Sequence, residues 1–338
     1  MRPWEKMALA IIAVAAVMAG AAVLFSGHGN VAAHSTPTTT ASVAARGASA
    51  PAIPASTTTS TVPSFPPVPA PAPILSDGVR LPETLPASAA PLKLPILQFH
   101  AVDSRPVRGS WGKRLTLDTQ MFKTELDYLA SHGYQPVTLE QVYAGMARLE
   151  PLPKNPVALT FDDGYLDNYT VAFPILHAHH FAATFFVITG AVGKPGYMTW
   201  ADLRAMYADG MAIESHTVHH QNLDTLTDAD LAAELTQSRA AIAAEVGQVP
   251  AALSYPGGDY DQRVAAATKA AGYLMAVTTR RGDLFGPSNP YAWPRTGVGP
   301  KETLSGFVHA LAHRQPSRKS LRAPHSMLHA QAAPAGSA

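Results

Sequence analysis

Short apolar runs alternate with helix-forming segments from about residue 91 to residue 313, and this alternation restricts the possible fold more than any other feature. The pattern predicts strands at residues 92–99, 157–161, 183–189, 211–214, 253–255 and 274–278. It predicts helices at residues 117–132, 199–208, 227–246 and 263–271. It also predicts one helix that begins at residue 138 and another that follows the strand at residues 157–161 and ends at about residue 180. Repeated strand–helix units imply a parallel sheet, so we expect an α/β protein whose sheet is open or closed into a barrel.

The first 33 residues are apolar and alanine-rich. Residues 7–25 carry no charge and approach the length that spans a bilayer, which favours an uncleaved membrane anchor. Residues 31–33, Val-Ala-Ala, would serve instead as the cleavage site of a signal peptide, and the protein would then be secreted. In both cases Arg2 and Lys6 favour a cytoplasmic amino terminus, so we expect the rest of the chain to be extracytoplasmic, in the periplasm or at the cell surface.

Composition divides the chain after residue 33 into three parts. Residues 34–91 are dominated by Ala, Pro, Ser and Thr, which predicts a disordered linker. Residues 92–313 are long enough to bury a substantial core, and we interpret them as one domain of catalytic size. Residues 314–338 are expected to form a disordered tail.

The chain contains no cysteine, which excludes thiolate nucleophiles, thiolate zinc sites, iron–sulfur clusters and disulfides. Any metal ion must bind to His, Asp or Glu. The net charge of +1 lacks the basic excess of a dedicated nucleic-acid binder, so we expect no nucleic acid partner. The sequence has no serine-esterase elbow, P-loop or Rossmann glycine motif, and it does not indicate the oligomeric state.

Polar residues cluster at the carboxyl ends of the predicted strands. These clusters are His100, the pair Asp162-Asp163, His216 with His220, and the loop at residues 256–258. In a parallel barrel the loops that follow the strands converge on one face, so residues that are distant in sequence can meet there. The clusters are therefore candidates for a single site.

The adjacent carboxylates of Asp162 and Asp163 can take different tasks. One can bind a cation while the other stays free to accept a proton. A solvated Asp-Asp-Gly turn is the alternative interpretation of these residues.

His216 and His220 lie four residues apart, so one helical turn would bring both imidazoles to one face. Two imidazoles and one carboxylate make a site with open positions that suits a divalent ion, Zn²⁺ first, with Co²⁺, Ni²⁺ or Mn²⁺ as alternatives. His219 would then point elsewhere.

His309 and His313 have the same spacing, but they follow no predicted strand. His177, His179 and His180 end a predicted helix, where we expect solvated or capping roles.

Three motifs carry a family resemblance: TFDDG at residues 160–164, HTVHH at 216–220 and SYPGG at 254–258. Together they resemble the polysaccharide deacetylase, or NodB-homology, family, also called carbohydrate esterase family four, over residues 92–313. The resemblance implies a deformed parallel (β/α) barrel. It also implies that Asp162 is the general base and that Asp163, His216 and His220 are the metal ligands.

The sequence departs from the family pattern in its third motif. Many members have an arginine at the position that Ser254 occupies here. Arg295, which lies downstream where the barrel should close, could supply the same positive charge and orient the base. An ordinary surface or ion-pair arginine is the alternative for Arg295.

The general acid is the second departure. Many members carry a Leu-x-His motif near the carboxyl end, and residues 311–313, Leu-Ala-His, match it formally on a predicted terminal helix. Residues 95–100, Pro-Ile-Leu-Gln-Phe-His, instead resemble the amino-terminal strand of the exopolysaccharide and poly-N-acetylglucosamine deacetylase branch. We therefore predict that His100, rather than His313, is the general acid.

These assignments predict a metal-dependent hydrolase that removes N-acetyl groups from a polysaccharide such as peptidoglycan, poly-N-acetylglucosamine or chitin oligomers. The backbone N–H near Gly257 would stabilise the tetrahedral oxyanion. Four alternatives stay open: an acetyl-xylan O-deacetylase, a carbohydrate-binding module with little or no activity, an iron enzyme for oxygen chemistry, and a tethered structural protein.

Overall fold

The computed structural model of the chain describes residues 78–105 and 112–312. The predicted anchor or signal peptide, most of the predicted linker, His313 and the predicted tail lie outside the described residues, so the expectations for them stay predictions. Within the described ranges, no helix has both the length and the apolar character needed to cross a membrane.

The strands of the described residues are all short. They are β1 (Leu92–Lys93), β2 (Ile96–Phe99), β3 (Ala101–Val102), β4 (Thr116–Leu117), β5 (Gln135–Val137), β6 (Pro156–Phe161), β7 (Thr184–Val187), β8 (Ala212–Ser215), β9 (Ala252–Ser254), β10 (Met275–Val277), β11 (Leu284–Phe285) and β12 (Thr296–Gly297). Eight of them form a parallel sheet in the order β10-β9-β8-β7-β6-β2-β12, with β5 also paired to β6. The sheet curls into a half-barrel, which confirms the predicted fold class.

The helices follow the strands as the sequence predicts. They are α1 (Gly112–Leu115), α2 (Thr119–Ser131), α3 (Leu139–Met146), α4 (Phe173–Ala178), α5 (Trp200–Ala208), α6 (Asp228–Val246), α7 (Gln262–Ala270) and α8 (Leu304–Leu311). The predicted capping box of α3 is present, with Thr138 and Gln141 satisfying each other's backbone N–H groups. Gly247 ends α6 with a φ of 85°, a left-handed conformation that glycine adopts without a steric penalty.

The two faces of each strand carry different chemistry. Phe99, Phe161 and Phe185 stack in a row across β2, β6 and β7, with ring centroids 5.1 and 4.7 Å apart, and belong to the main core. Because side chains alternate along a strand, the neighbouring positions face the opposite side. That side carries Gln98 and Thr160. His100 and Asp162 lie two positions further along the chain, where the same alternation continues past the ends of β2 and β6.

An irregular segment at residues 293–297 lies between the two ends of the sheet. At one end the backbone N–H of Trp293 donates to the carbonyl oxygen of Ala276, and the Trp293 carbonyl oxygen accepts from the backbone N–H of Thr278, each at 2.9 Å. At the other end β12 pairs with β2, with Thr296 beside Leu97. The segment thus connects β10 to β2 across the open side of the half-barrel.

The packed part of the chain begins before the predicted domain start at residue 92. Leu81 and Ala89 are buried, and Leu81 belongs to the same core cluster as Tyr143 of α3. The Tyr143 hydroxyl donates a hydrogen bond to the carbonyl oxygen of Pro82 at 3.1 Å. The end of the predicted linker therefore packs on α3, because its few apolar residues gain burial there.

Candidate metal centre and active site

The polar clusters predicted from the sequence meet at the carboxyl ends of the parallel strands. His100 follows β2, Asp162 and Asp163 follow β6, and His216 follows β8. The residues come together because β8, β7, β6 and β2 are consecutive parallel strands, so their carboxyl ends share one edge of the sheet.

The side chains of Asp163, His216 and His220 form a compact donor set. Their potential ligand atoms all lie within 4.8 Å of one another, and among the described residues this is the one group of three or more His, Asp or Glu residues that could hold a metal ion. Asp163 Oδ1 lies 3.4 Å from His216 Nε2 and 3.6 Å from His220 Nε2. A tetrahedral ion with bonds of about 2.0–2.1 Å separates its ligand atoms by about 3.4 Å, so the set fits such an ion.

The orientation of the His216 ring leaves its Nε2 atom free for a metal. The Nδ1–H group of His216 donates a hydrogen bond to the carbonyl oxygen of Ser254 at 2.8 Å, which fixes the tautomer. Asp163 and His216 are buried, whereas the His220 side chain is 39% exposed. A ligand bound to this set would therefore be reached from solvent on the His220 side.

The two histidines meet through a loop, and the predicted helical turn between them is wrong. Thr217 and His220 both have left-handed backbones, with φ of 65° and 57°, which a right-handed helix does not allow. The loop is held by hydrogen bonds from the His220 N–H to Thr217 Oγ1 at 3.0 Å and from the Gly190 N–H to the Val218 carbonyl at 2.9 Å. Asp163 also has a positive φ, of 76°. Such strained backbones concentrate at functional sites, where the surroundings enforce them.

Asp162 is paired with Arg295, the arginine predicted to replace the missing one of the third motif. Arg295 Nη1 and Nη2 donate to the two carboxylate oxygens of Asp162 at 2.8 and 2.7 Å, and both side chains are buried. Ser254, at the motif position itself, contacts both: it accepts a hydrogen bond from Arg295 Nη2 at 2.9 Å and its hydroxyl lies 3.2 Å from Asp162 Oδ2. The alternative interpretation is a surface or ion-pair arginine: Arg295 has no exposed area, so it is not a surface residue, but it does form an ion pair, and its partner is Asp162.

The charge of Arg295 keeps Asp162 ionised. Burial alone would raise the pKa of the Asp162 carboxyl, but the positive charges of Arg295 and His216 and the hydrogen bonds from Arg295 outweigh burial and hold that pKa well below its usual range. Gln98 adds a further hydrogen bond, from Nε2 to Asp162 Oδ2 at 2.8 Å. Sequence reasoning missed Gln98, although it lies two residues before His100 on the same face of β2.

His100 follows β2 at the same edge of the sheet where Asp162 and Asp163 follow the paired strand β6. Burial lowers the pKa of His100, while the charges of Asp162 and Asp163 oppose this shift. The backbone around His100 is held by two residues that the sequence did not single out. Asn168 donates to the carbonyl oxygen of His100 at 2.7 Å, and Asp167 accepts from the N–H of Val102 at 2.9 Å.

Gly257 lies in the turn Pro256–Gly258, one residue after the end of β9, with a φ of 66°. Its neighbour Gly258 is also required sterically, because a Cβ there would lie 2.1 Å from Thr279 Oγ1. The turn therefore brings backbone unusually close to Thr279, at the same edge of the sheet as His216.

Two of the histidines predicted to end a helix have carboxylate partners of their own. At the end of α4, His177 Nδ1 lies 2.7 Å from Asp209 Oδ2 and His179 Nε2 lies 3.3 Å from Asp127 Oδ1. His309 is exposed on α8. Its predicted partner His313 lies outside the described residues.

The chain is similar in sequence to proteins of one family. Residues 150–276 match the family profile described as Polysaccharide deacetylase. The Bacillus subtilis (strain 168) protein "Putative polysaccharide deacetylase YxkH" is 32% identical over 217 residues, which are 64% of this chain and 75% of that protein. The "Poly-beta-1,6-N-acetyl-D-glucosamine N-deacetylase" of Staphylococcus aureus (strain MRSA252) is 25% identical over 197 residues, 54% of this chain and 68% of that protein.

A solved structure shares the fold as well. "Streptococcus pyogenes deacetylase PplD in complex with acetate" superposes with a TM-score of 0.60 at 28% sequence identity, covering 66% of this chain and 99% of that chain. With the sequence match to the Bacillus subtilis protein, this likeness leads to one conclusion: the chain belongs to the polysaccharide deacetylase family, hydrolases built on a deformed (β/α) barrel.

Proposed function

We propose that this chain is a divalent-metal-dependent hydrolase that removes N-acetyl groups from a polymer of N-acetylglucosamine. The observation that carries the proposal is the arrangement of Asp163, His216 and His220 beside the ionised, buried Asp162. A metal-ligand set and a separate carboxylate held next to it are the two parts that metal-assisted hydrolysis of an amide requires.

Asp163, His216 and His220 would hold the ion, and the donor separations of 3.4 and 3.6 Å favour Zn²⁺. Co²⁺, Ni²⁺ and Mn²⁺ would accept the same nitrogen and oxygen donors. When bound, the ion would polarise the acetyl carbonyl and make a water molecule more acidic. These three ligands leave further coordination positions open, as a catalytic site needs.

Asp162 accepts the proton of the attacking water as the oxygen of that water bonds to the acetyl carbon. Arg295 keeps the Asp162 carboxylate charged and oriented for this step. The backbone N–H near Gly257 donates to the oxygen of the tetrahedral intermediate. His100 then gives a proton to the nitrogen as the carbon–nitrogen bond breaks, which releases acetate and leaves a free amine on the sugar.

The substrate is proposed from two considerations. The Staphylococcus aureus relative is named a poly-β-1,6-N-acetylglucosamine deacetylase. His100 follows β2 just as Asp162 follows the paired strand β6, and we assign this early histidine as the acid for an amine leaving group. An acetyl-xylan O-deacetylase is the second candidate, since the same base and ligands serve an ester.

We also propose that residues 92–313 hold the complete catalytic site and that the protein acts outside the cytoplasm.

The decisive experiment measures acetate release from β-1,6- and β-1,4-linked N-acetylglucosamine oligomers and from acetylated xylan, before and after removal of metal with a chelator. We expect release from an N-acetylglucosamine oligomer that is lost with the chelator and restored by Zn²⁺. A His216→Ala variant should lose both bound metal and activity. Release that survives metal removal would overturn the mechanism, and release from xylan alone would overturn the proposed substrate.

A further inference from the structure

The loop that carries the two proposed histidine ligands is held by one carboxylate from outside it. Glu234, on the second turn of α6, accepts hydrogen bonds from the backbone N–H groups of Val218 and His219, both at 2.9 Å and both to Oε2. Its other oxygen, Oε1, lies 2.5 Å from His219 Nδ1. Glu234 is buried although it is a charged residue, and both of its carboxylate oxygens contact this loop.

We propose that Glu234 is a positioning residue that holds the loop between His216 and His220 in its metal-binding conformation. This inference rests on the proposed metal site and adds to it a residue that touches neither metal nor substrate. Glu234 would act on metal affinity through the backbone of the two residues that separate the proposed ligands.

The loop needs such support because its own conformation is unfavourable. Thr217 and His220 both adopt left-handed backbones, which cost free energy in residues other than glycine and persist only where the surroundings enforce them. Hydrogen bonds from backbone N–H groups to a carboxylate are among the stronger ones in proteins. Two of them converge on Glu234 from the middle of the loop, at the point where the chain must reverse to return His220 toward His216.

The same helix also holds the beginning of the loop. Ser238, one turn after Glu234, forms a hydrogen bond with Ser215 at 2.8 Å between the hydroxyl oxygens. Ser215 Oγ in turn accepts the N–H of Thr217 at 3.2 Å. Helix α6 thus contacts the loop at two places. Ser238 contacts its beginning through a neutral hydroxyl, and Glu234 contacts its middle through a charged carboxylate.

The backbone contacts of Glu234, rather than its contact with the His219 ring, should carry the effect. The His219 side chain is 62% exposed and its ring lies at the surface, whereas the Glu234 side chain is 7% exposed. Replacing His219 with alanine removes the ring but keeps the backbone N–H groups, so this substitution separates the two kinds of contact.

The test is a measurement of Zn²⁺ affinity in the full-length chain, by competition with a chromophoric chelator, for the Glu234→Ala and Glu234→Gln variants. We expect the dissociation constant for Zn²⁺ to rise about tenfold to a hundredfold in the alanine variant, as for other residues that orient metal ligands, with a smaller rise in the glutamine variant. Circular dichroism shows whether each variant is folded. The glutamine variant, which has nearly the same shape, decides the matter if the alanine variant does not fold.

Two controls complete the design. His219→Ala should bind Zn²⁺ within a few-fold of the original chain, and so should Glu245→Gln, because Glu245 lies on the same helix but pairs with Arg204 at the surface. Folded Glu234 variants with unchanged affinity would overturn the inference. If His216→Ala abolishes metal binding in the same assay while the Glu234 variants do not weaken it, the proposed metal site stands and only the role of Glu234 fails.

Discussion

Removing the charge of Arg295 should impair both the stability of the fold and the ionisation of Asp162. The change is Arg295→Met, which keeps much of the side-chain length but none of the five N–H donors. Arg295 and Asp162 are both buried and share two hydrogen bonds of 2.8 and 2.7 Å. Loss of one partner of such a buried pair costs about 3–5 kcal/mol, because the remaining charge is left uncompensated.

The same magnitude sets the expected change in the pKa of Asp162. A cost of 3–5 kcal/mol is several times the roughly 1.4 kcal/mol that one pKa unit represents, so losing Arg295 should raise the pKa of Asp162 toward or above its usual range. In the original chain that pKa is depressed, so Asp162 contributes stability above its unfolded pKa and loses it only in strong acid. In the variant, the charge of Arg295 no longer offsets burial, so the stabilising contribution of ionised Asp162 is reduced or lost.

Two assays follow from this reasoning. The gap in the free energy of unfolding between Arg295→Met and the original chain should widen as the pH rises from strong acid through the raised pKa of Asp162 and stay constant at higher pH, because only the original chain keeps Asp162 ionised within that window. The rate of acetate release should fall more at about pH 5–6 than at about pH 8, since the base must be ionised. The stability and activity of Arg295→Lys should lie between those of the original chain and those of Arg295→Met, because lysine keeps the charge but not the two parallel hydrogen bonds. A folded methionine variant with unchanged stability and an unchanged pH profile would refute the reasoning.

Three further predictions concern other parts of the chain. His100→Ala should lower turnover by roughly a hundredfold or more with metal content intact, whereas His313→Ala should change little; the opposite pattern in a turnover and metal assay would assign the acid to His313. Burial, reinforced by the charge of Glu302, raises the pKa of Glu125 to about 9, so its contribution to stability falls as pH rises from about 4.5; Glu125→Met should increase the melting temperature more at about pH 8 than at about pH 4, and an equal change at both would contradict the assignment. A chain that begins at residue 92 loses the buried Leu81 and should unfold with roughly 2–5 kcal/mol less free energy than one that begins at residue 78; equal denaturant midpoints would show that the segment adds no stability.

The sequence alone determined much of the architecture and part of the candidate site. Caps such as Thr138 and terminators such as Gly247 act within one helical turn, so the helices could be placed from local residues. The strands could be located because apolar runs bounded by turn residues are a local signal as well. Order along the chain and position after a strand then indicated Asp163, His216 and His220, which the structure brings within 4.8 Å of one another.

Only the tertiary structure decided which partners meet. The spacing of His216 and His220 suggested a helical turn, but the left-handed residues between β8 and α6 depend on contacts with Glu234 and Gly190, far away in the sequence. Likewise, Arg295 reaches Asp162, 133 residues earlier, only because the segment at residues 293–297 lies across the open side of the half-barrel. Local propensities act over a few residues, whereas contacts of this kind depend on sheet register and burial, and those are set only when the whole barrel packs.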